Sequence, residues 1–195
     1  MDQQTATTAA IIVVLVLLVI AALVFMRRRR SDQLKSRFGP EYGRTVDTVG
    51  DPRKAEAALA ARAKRVSAYP IKPLPADLRD HFTDTWQTVQ AAFVDDPKYA
   101  VTRADDLLGE VMRARGYPVH DFDQRAEDLS VDHPEVVQNY RSAHDIALAH
   151  SQGQASTEDL RTAMIHFRAL FDDLVNDRTA GGAGTPVAEP APRPV

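Results

Sequence analysis

The sequence predicts an all-α protein with one N-terminal transmembrane helix and a small soluble helical bundle of about four to five helices. Three observations support this fold class. Residues 9–26 carry no charge, apolar residues farther along recur at helical spacing, and no segment alternates apolar and polar residues as a strand does. A chain of 195 residues has room for one such anchor and one modest domain.

The predicted anchor is the run AAIIVVLVLLVIAALVFM at residues 9–26, which follows a short extracytoplasmic tail of residues 1–8. At about 1.5 Å per residue, the run is just long enough for a hydrocarbon core about 30 Å thick. It ends at four consecutive arginines, Arg27, Arg28, Arg29 and Arg30. An arginine at the centre of a membrane helix costs about 2.5–3.5 kcal/mol on insertion scales, so the span stops there.

The orientation follows from the charges that flank the anchor. Only Asp2 precedes it and the arginines follow it, so the positive-inside rule places the N-terminus outside a bacterial cell membrane and the domain in the cytoplasm. A cleaved signal peptide requires a positively charged start, which MDQQTATT lacks, and a small-residue cleavage site, which is missing before Arg27. A buried helix of a soluble protein is disfavoured because the run has no polar face.

Charge divides the rest of the chain into two regions. Residues 27–66 contain twelve Lys and Arg against five Asp and Glu, a net charge of +7, whereas residues 67–178 have a net charge of −9. A basic segment is attracted to anionic lipid head groups and an acidic domain is repelled by them. We therefore predict a membrane-surface set consisting of Arg27, Arg28, Arg29, Arg30, Lys35 and Arg37. The alternative is a stop-transfer flank with no further role.

Two segments connect the anchor to the domain. Residues 27–50 form a basic juxtamembrane connector. We expect its part from Ser31 to Gly50 to be irregular apart from a short turn, because Gly39-Pro40, Gly43 and Gly50 interrupt any long helix. Residues 51–68 are predicted to form a basic helix, because Asp51 is a good N-cap and Pro52 suits the first helical position.

Residues 72–177 are predicted to form the acidic helical bundle. Asp96-Pro97 starts one helix and Gly116 ends it, while Ser156 and Asp159 cap the last helix. Between them we expect a helical turn at residues 122–129 and a helix capped by Asp132 through a capping box with Glu135.

The predicted buried faces of the first, second and last helices are Leu74, Leu78, Phe82, Trp86, Val89 and Phe93; Val101, Ala104, Leu107, Leu108, Val111 and Met112; and Leu160, Ala163, Met164, Phe167, Leu170, Phe171 and Leu174. Residues 178–195, rich in Pro, Ala and Gly, read as a disordered tail.

The sequence contains no motif for catalysis or for binding a cofactor. Cysteine is absent, which excludes disulfides, thiolate metal sites and cysteine nucleophiles. Glycine-rich phosphate loops, Glu-x-x-His pairs, His-Glu-x-x-His and Gly-x-Ser-x-Gly are also absent. We expect no cofactor, no metal, no catalytic residue and, because the domain is acidic, no nucleic-acid partner. The oligomeric state is not indicated.

Two segments that join helices, residues 115–122 and 128–135, stand out by composition. Arginine and aromatic residues often anchor protein interfaces, so Arg115, Tyr117 and Phe122 are the candidate contacts for a protein partner. The alternative is a packing role, in which Tyr117 and Phe122 fill the end of the bundle.

These segments also carry a resemblance. The motifs SRFGPEYGRTV, IKPLP, AAFVDDP, MRARGYPV, DLSVDHPEVVQNYR and STEDLRTAMIHFRALFDDL, behind an anchor and an arginine cluster, resemble a bacterial family labelled as membrane or secreted proteins with no assigned activity. The resemblance covers about residues 36–174 and implies that the helical domain is a recurrent unit. It implies no ligand or catalytic residue, and the label "secreted" conflicts with the cytoplasmic orientation.

Two hypotheses of function result. The first is a membrane-anchored interaction or scaffolding module that binds the bilayer, anionic head groups and an unidentified protein. The second is a small-ligand-binding protein or an unrecognised enzyme with its site inside the bundle. The missing motifs favour the first.

Overall fold

The computed structural model describes residues 3–118 and 120–176, with side chains from residue 14 onward. These residues form eight α-helices and no strand, which confirms the all-α fold class. The helices are α1 (Gln3–Phe38), α2 (Pro40–Val49), α3 (Pro52–Val66), α4 (Ala76–Ala92), α5 (Pro97–Arg115), α6 (Phe122–Asp132), α7 (Val137–Ser151) and α8 (Thr157–Asn176). The predicted tail at residues 178–195 and the side chains of residues 9–13 in the predicted anchor lie outside the described residues.

The described residues form eight helices in total, which is more than the anchor and the four to five bundle helices that we predicted. Five of the eight, α4 to α8, lie between residues 72 and 177, and three precede them. Among the described residues, no helix combines the length and the apolar composition that a membrane crossing requires.

The prediction of an irregular segment from Ser31 to Gly50 was wrong, because nearly all of it is helical. α1 continues through the arginines to Phe38, and α2 follows after one residue. The predicted breakers act only at single points: Gly39 adopts a positive φ of 45° and Pro40 opens α2. Gly50, at φ 73°, ends α2 in the left-handed conformation, while Gly43 is accommodated within α2.

The chain divides into two compact units between Lys64 and Arg65. In the first unit, the fully buried carboxylate of Glu41 on α2 accepts a 3.0 Å hydrogen bond from Nη1 of Arg62 on α3. A buried charge is tolerated only when it is paired, so this ion pair helps to set how α2 and α3 pack. As predicted, Asp51 caps α3, since its Oδ1 accepts hydrogen bonds from the backbone N–H groups of Arg53 and Lys54.

The second unit is built around α8. This helix packs against α4, α5 and α7, while α4 also contacts α5 and α6 contacts α7. The apolar faces predicted for α5 and α8 are confirmed, because every residue of both sets is buried. Of the face predicted for the first helix, Phe82, Trp86 and Val89 are buried on α4, and Leu74 is buried just before α4 begins. Leu78 and the C-cap residue Phe93 are only partly covered.

Most of the predicted helix ends in this unit are confirmed. The side chain of Asp96 accepts a hydrogen bond from Tyr99 N, and Gly116 ends α5 at φ 97°. Ser156 and Asp159 form a reciprocal capping pair at the start of α8. Each contact satisfies backbone groups that a helix end leaves without an intrahelical partner.

The predicted start of α7 at Asp132 was wrong. Asp132 is the last residue of α6, and α7 begins at Val137. Oδ2 of Asp132 accepts a 3.1 Å hydrogen bond from the Tyr117 hydroxyl, so this carboxylate makes a tertiary contact and does not cap α7. The local capping signal was overridden by a residue fifteen positions away.

Candidate functional site

The most exposed apolar surface lies on α1. The large apolar side chains of residues 14–26 are 46–63% exposed, and they surround the helix with no polar face among them. Contiguous apolar patches of this kind mark surfaces that are covered by lipid or by a protein partner.

The predicted membrane-surface residues directly follow this apolar run on the same helix. All six are exposed: Arg27, Arg28, Arg29, Arg30, Lys35 and Arg37. The Lys35 ammonium lies 5.6 Å from the ring centroid of Tyr42 on α2, within the range of a cation–π contact. The structure thus continues the helix from the apolar residues into the basic ones without a break.

A cleft of about 440 Å³ in the first unit lies next to the arginines. It is lined by Arg27, Arg28, Arg30, Ser31, Arg53, Glu56 and Ala57. Oε1 of Glu56 accepts hydrogen bonds from the hydroxyls of Ser31, at 2.6 Å, and Tyr42, at 2.9 Å. One carboxylate on α3 therefore contacts both α1 and α2, and it lies one turn from Arg53.

Arg115, a candidate partner contact, is fully buried. Its Nη1 donates a 2.7 Å hydrogen bond to the carbonyl oxygen of Leu174 in the last turn of α8. The last four carbonyls of a helix have no intrahelical donor, and a cation there is favoured by the helix dipole. Arg115 thus stabilises the end of α8 and is not on the surface.

The other two candidate contacts differ in exposure. Tyr117 is 2% exposed, so like Arg115 it is not available to a partner in this structure. Phe122 is partly exposed and stacks on His144, with ring centroids 3.6 Å apart. These positions match the packing role that the sequence left open for Tyr117 and Phe122.

The second unit also contains a buried carboxylate network that the sequence did not reveal. Asp128 is fully buried, and its Oδ1 accepts hydrogen bonds from Nε and Nη2 of Arg65 and from Nε2 of Gln124. Its Oδ2 accepts a 3.2 Å hydrogen bond from the Tyr69 hydroxyl. Burial, and then the charge of Asp128, raise the pKa of Tyr69 above its usual value of 10.0. The network satisfies the carboxylate and has a structural role.

An apolar groove of about 250 Å³ lies between α4 and α8. It is lined by Trp86, Gln90, Phe93, Val94, Arg161, Met164, Ile165 and Arg168. Ile165 is 65% exposed and Val94 is 85% exposed, although both side chains are apolar. Among the described residues, the buried Nε1 of Trp86 has no hydrogen-bond partner. The groove therefore combines exposed apolar side chains with two arginines and an unsatisfied donor.

A second cleft, of about 370 Å³, lies beside His133, between the segment that connects α6 to α7 and the end of α8. Nδ1 of His133 is 2.5 Å from Oδ2 of Asp173, and Asp132, Glu135 and Asp172 also line the cleft. Within the described part of the chain, no group of three or more His, Asp or Glu residues is arranged to hold a metal ion.

Sequence reasoning missed Arg53, Glu56, Ile165 and Arg168 as site residues. Ile165 had a detectable signal, because it is an apolar residue on the polar face of an amphipathic helix. The contacts of Glu56 gave no detectable signal in the sequence, because its partners Tyr42 and Ser31 lie fourteen and twenty-five positions away.

Comparisons of the chain with protein-family models, with curated proteins and with solved structures find no match.

Proposed function

We propose that this protein is a membrane-anchored helical interaction module of the bacterial cell membrane. The observation that carries the proposal is the helix surface of residues 14–26, where large apolar side chains are 46–63% exposed on all sides. Together with residues 9–13, these residues form an uncharged run whose length, at about 1.5 Å per residue, approaches the thickness of a hydrocarbon core.

The exposed arginines support an orientation with the N-terminus outside and the helical units in the cytoplasm. Positive flanks stay on the cytoplasmic side, and Arg27, Arg28, Arg29 and Arg30 directly follow the apolar run. Arginines in this position gain about 1 kcal/mol each beside an anionic leaflet. Anionic head groups are therefore proposed as the first partner.

Cysteine accessibility tests the anchor and its direction, because the chain has no cysteine of its own. Thr5→Cys and Lys98→Cys place single thiols before the apolar run and on an exposed position of α5. We expect a membrane-impermeant maleimide to label intact cells at position 5 and not at position 98, with both labelled after lysis. Labelling at position 98 in intact cells would reverse the orientation, and release of the protein by alkaline carbonate would contradict the anchor.

The groove between α4 and α8 is the surface that we propose for a protein partner. Its chemistry suits a segment with an apolar anchor and an acidic residue, since Arg161 and Arg168 flank Ile165. These arginines pair with exposed Glu158 and Asp172, and such surface pairs are weak, so an acidic partner residue can replace them.

Site-specific photo-crosslinking tests this surface. A photoreactive residue at Val94 should give one discrete adduct that Ile165→Glu abolishes. Leu148→Glu is the matched control, because it adds the same charge at an apolar side chain on α7 that is 51% exposed. Sequencing of the adduct should identify an apolar, acidic segment. An adduct unaffected by Ile165→Glu, or one formed with a second copy of this chain or with lipid, would contradict the proposal.

The alternative is a small-ligand-binding protein or an unrecognised enzyme. The cleft beside His133 favours it, because a histidine paired with Asp173 lines a cavity within the size range of ligand pockets. A thermal-shift screen of small molecules tests it, with Asp173→Asn as the variant expected to remove any shift. A screen without a shift that depends on Asp173 would count against this function.

A further inference from the structure

The cleft in the first unit combines residues that are distant in sequence. Arg27, Arg28 and Arg30 come from α1, whereas Arg53 comes from the first turn of α3. The arginine run on α1 is evident from the sequence, but the addition of Arg53 is not. The folded unit therefore provides a concave basic site in addition to a linear basic segment.

Glu56 holds this site together. Arg53 and Glu56 are three residues apart and so lie on the same face of α3. The hydrogen bonds from Ser31 and Tyr42 to Oε1 of Glu56 join that face to α1 and α2. The arrangement of Arg53 beside the arginines of α1 is thus supported by contacts that involve none of the arginines of the cleft.

The charges of the cleft are largely uncompensated. Four guanidinium groups line it, and Glu56 is the only carboxylate among the described residues of its lining. Within the described residues, Arg44 and Arg62 pair with Glu41 in the first unit, and no ion pair involves Arg27, Arg28, Arg30 or Arg53. Four arginines that line a cleft with a single carboxylate leave a net positive charge there, which favours the binding of an anion.

We propose that this cleft binds the phosphate group of an anionic phospholipid. The proposal rests on the membrane anchoring proposed above, and it adds a defined head-group site to general attraction by charge. The arginines of the cleft begin at the residue that follows the apolar run, which is the depth at which lipid phosphates lie. Guanidinium groups bind phosphate oxygens in a bidentate manner, and the cleft of about 440 Å³ lies within the size range of ligand pockets.

The test compares two variants of the full chain that lose one positive charge at adjacent exposed positions of α3. Arg53→Gln removes a residue that lines the cleft, whereas Lys54→Gln removes a neighbour that does not. Both variants keep the backbone N–H groups that donate hydrogen bonds to Asp51. Phosphatidylglycerol is titrated into detergent micelles that contain each protein, and bound lipid is counted by native mass spectrometry.

We expect Arg53→Gln to weaken lipid binding about tenfold, as the loss of one charge-assisted contact implies, and Lys54→Gln to bind like the native chain. Equal weakening by the two variants, or no weakening by Arg53→Gln, would show general attraction by charge and overturn the site. Excess inorganic phosphate that binds as tightly and displaces the lipid would assign the cleft to free phosphate and overturn the lipid assignment.

Failure of the anchor is detected separately. Native chain and both variants are reconstituted in neutral phosphatidylcholine vesicles and extracted with alkaline carbonate. Retention of all three, with equal lipid titrations for the two variants, would reject the cleft and leave the anchor. Release of all three would reject the anchoring on which the head-group assignment depends.

Discussion

Arg65 donates two hydrogen bonds, from Nε at 3.0 Å and from Nη2 at 2.8 Å, to the same carboxylate oxygen of Asp128. The side chain of Asp128 is fully buried, whereas that of Arg65 is 37% exposed. The two partners are therefore not equivalent, because loss of the arginine leaves a buried charge and loss of the carboxylate leaves a cation in contact with water.

The first prediction follows from this difference. Arg65→Met should lower the free energy of unfolding by about 2–3 kcal/mol, because the buried carboxylate loses its cation. Asp128→Asn should cost less, since the amide keeps the size of the side chain and the exposed part of Arg65 stays hydrated. Urea denaturation in detergent, followed by the fluorescence of Trp86, the single tryptophan, measures both values. A larger loss for Asp128→Asn would contradict the interpretation.

The second prediction concerns Gly116. A Cβ at this position would lie 2.5 Å from the carbonyl oxygen of Pro70, which is backbone, and the residue has a φ of 97°. Gly116→Ala should therefore destabilise the second unit by about 2–4 kcal/mol, from backbone strain and overpacking together. Gly153→Ala is the control, because φ is also positive there and, among the described residues, no heavy atom beyond its chain neighbours lies within 4 Å of the added Cβ. Equal losses for the two variants would show that the contact with Pro70 does not matter.

The third prediction concerns alkaline pH. Burial, and then the charge of Asp105, raise the pKa of Tyr140 far above its usual value of 10.0. The Tyr140 hydroxyl therefore ionises at a lower pH in the unfolded chain than in the folded chain. The protonated hydroxyl contributes its full stabilisation below pH 10.0, and this contribution decreases as the pH rises above that value. Thermal unfolding of the native chain should lose stability above that pH, and Tyr140→Phe should lose less. Tyr99→Phe, at a side chain that is 56% exposed, is the control and should follow the native chain.

The fourth prediction concerns the buried guanidinium of Arg115. Arg115→Met should lower the free energy of unfolding by about 2–4 kcal/mol, because the carbonyl of Leu174 loses a charged donor in a buried site. Arg113→Met removes the same charge from an exposed position in the same helical turn and should have little effect. Circular dichroism at increasing temperature measures both. Similar melting temperatures for Arg115→Met and the native chain would contradict the stabilising role of this residue.

Local signals in the sequence determined much of the second unit. Apolar spacing identified the buried faces of α5 and α8, and the ends of helices at Asp96, Gly116 and Ser156 followed from the chemistry of single residues. These features depend on neighbours within about one helical turn, so periodicity and capping rules apply to them. The same rules failed at Asp132, because its carboxylate binds Tyr117.

What the sequence by itself determined is the all-α fold class, the uncharged run at residues 9–26, the arginines that end it and the division of charge between residues 27–66 and 67–178. The tertiary structure decided which side chains share a site. It buried Arg115 and Tyr117, exposed Ile165 in a groove and placed Arg53 beside the arginines of α1. The physical reason is range: helix formation and hydropathy are properties of adjacent residues, whereas hydrogen bonds such as Ser31 to Glu56 join positions that only the folded chain brings together.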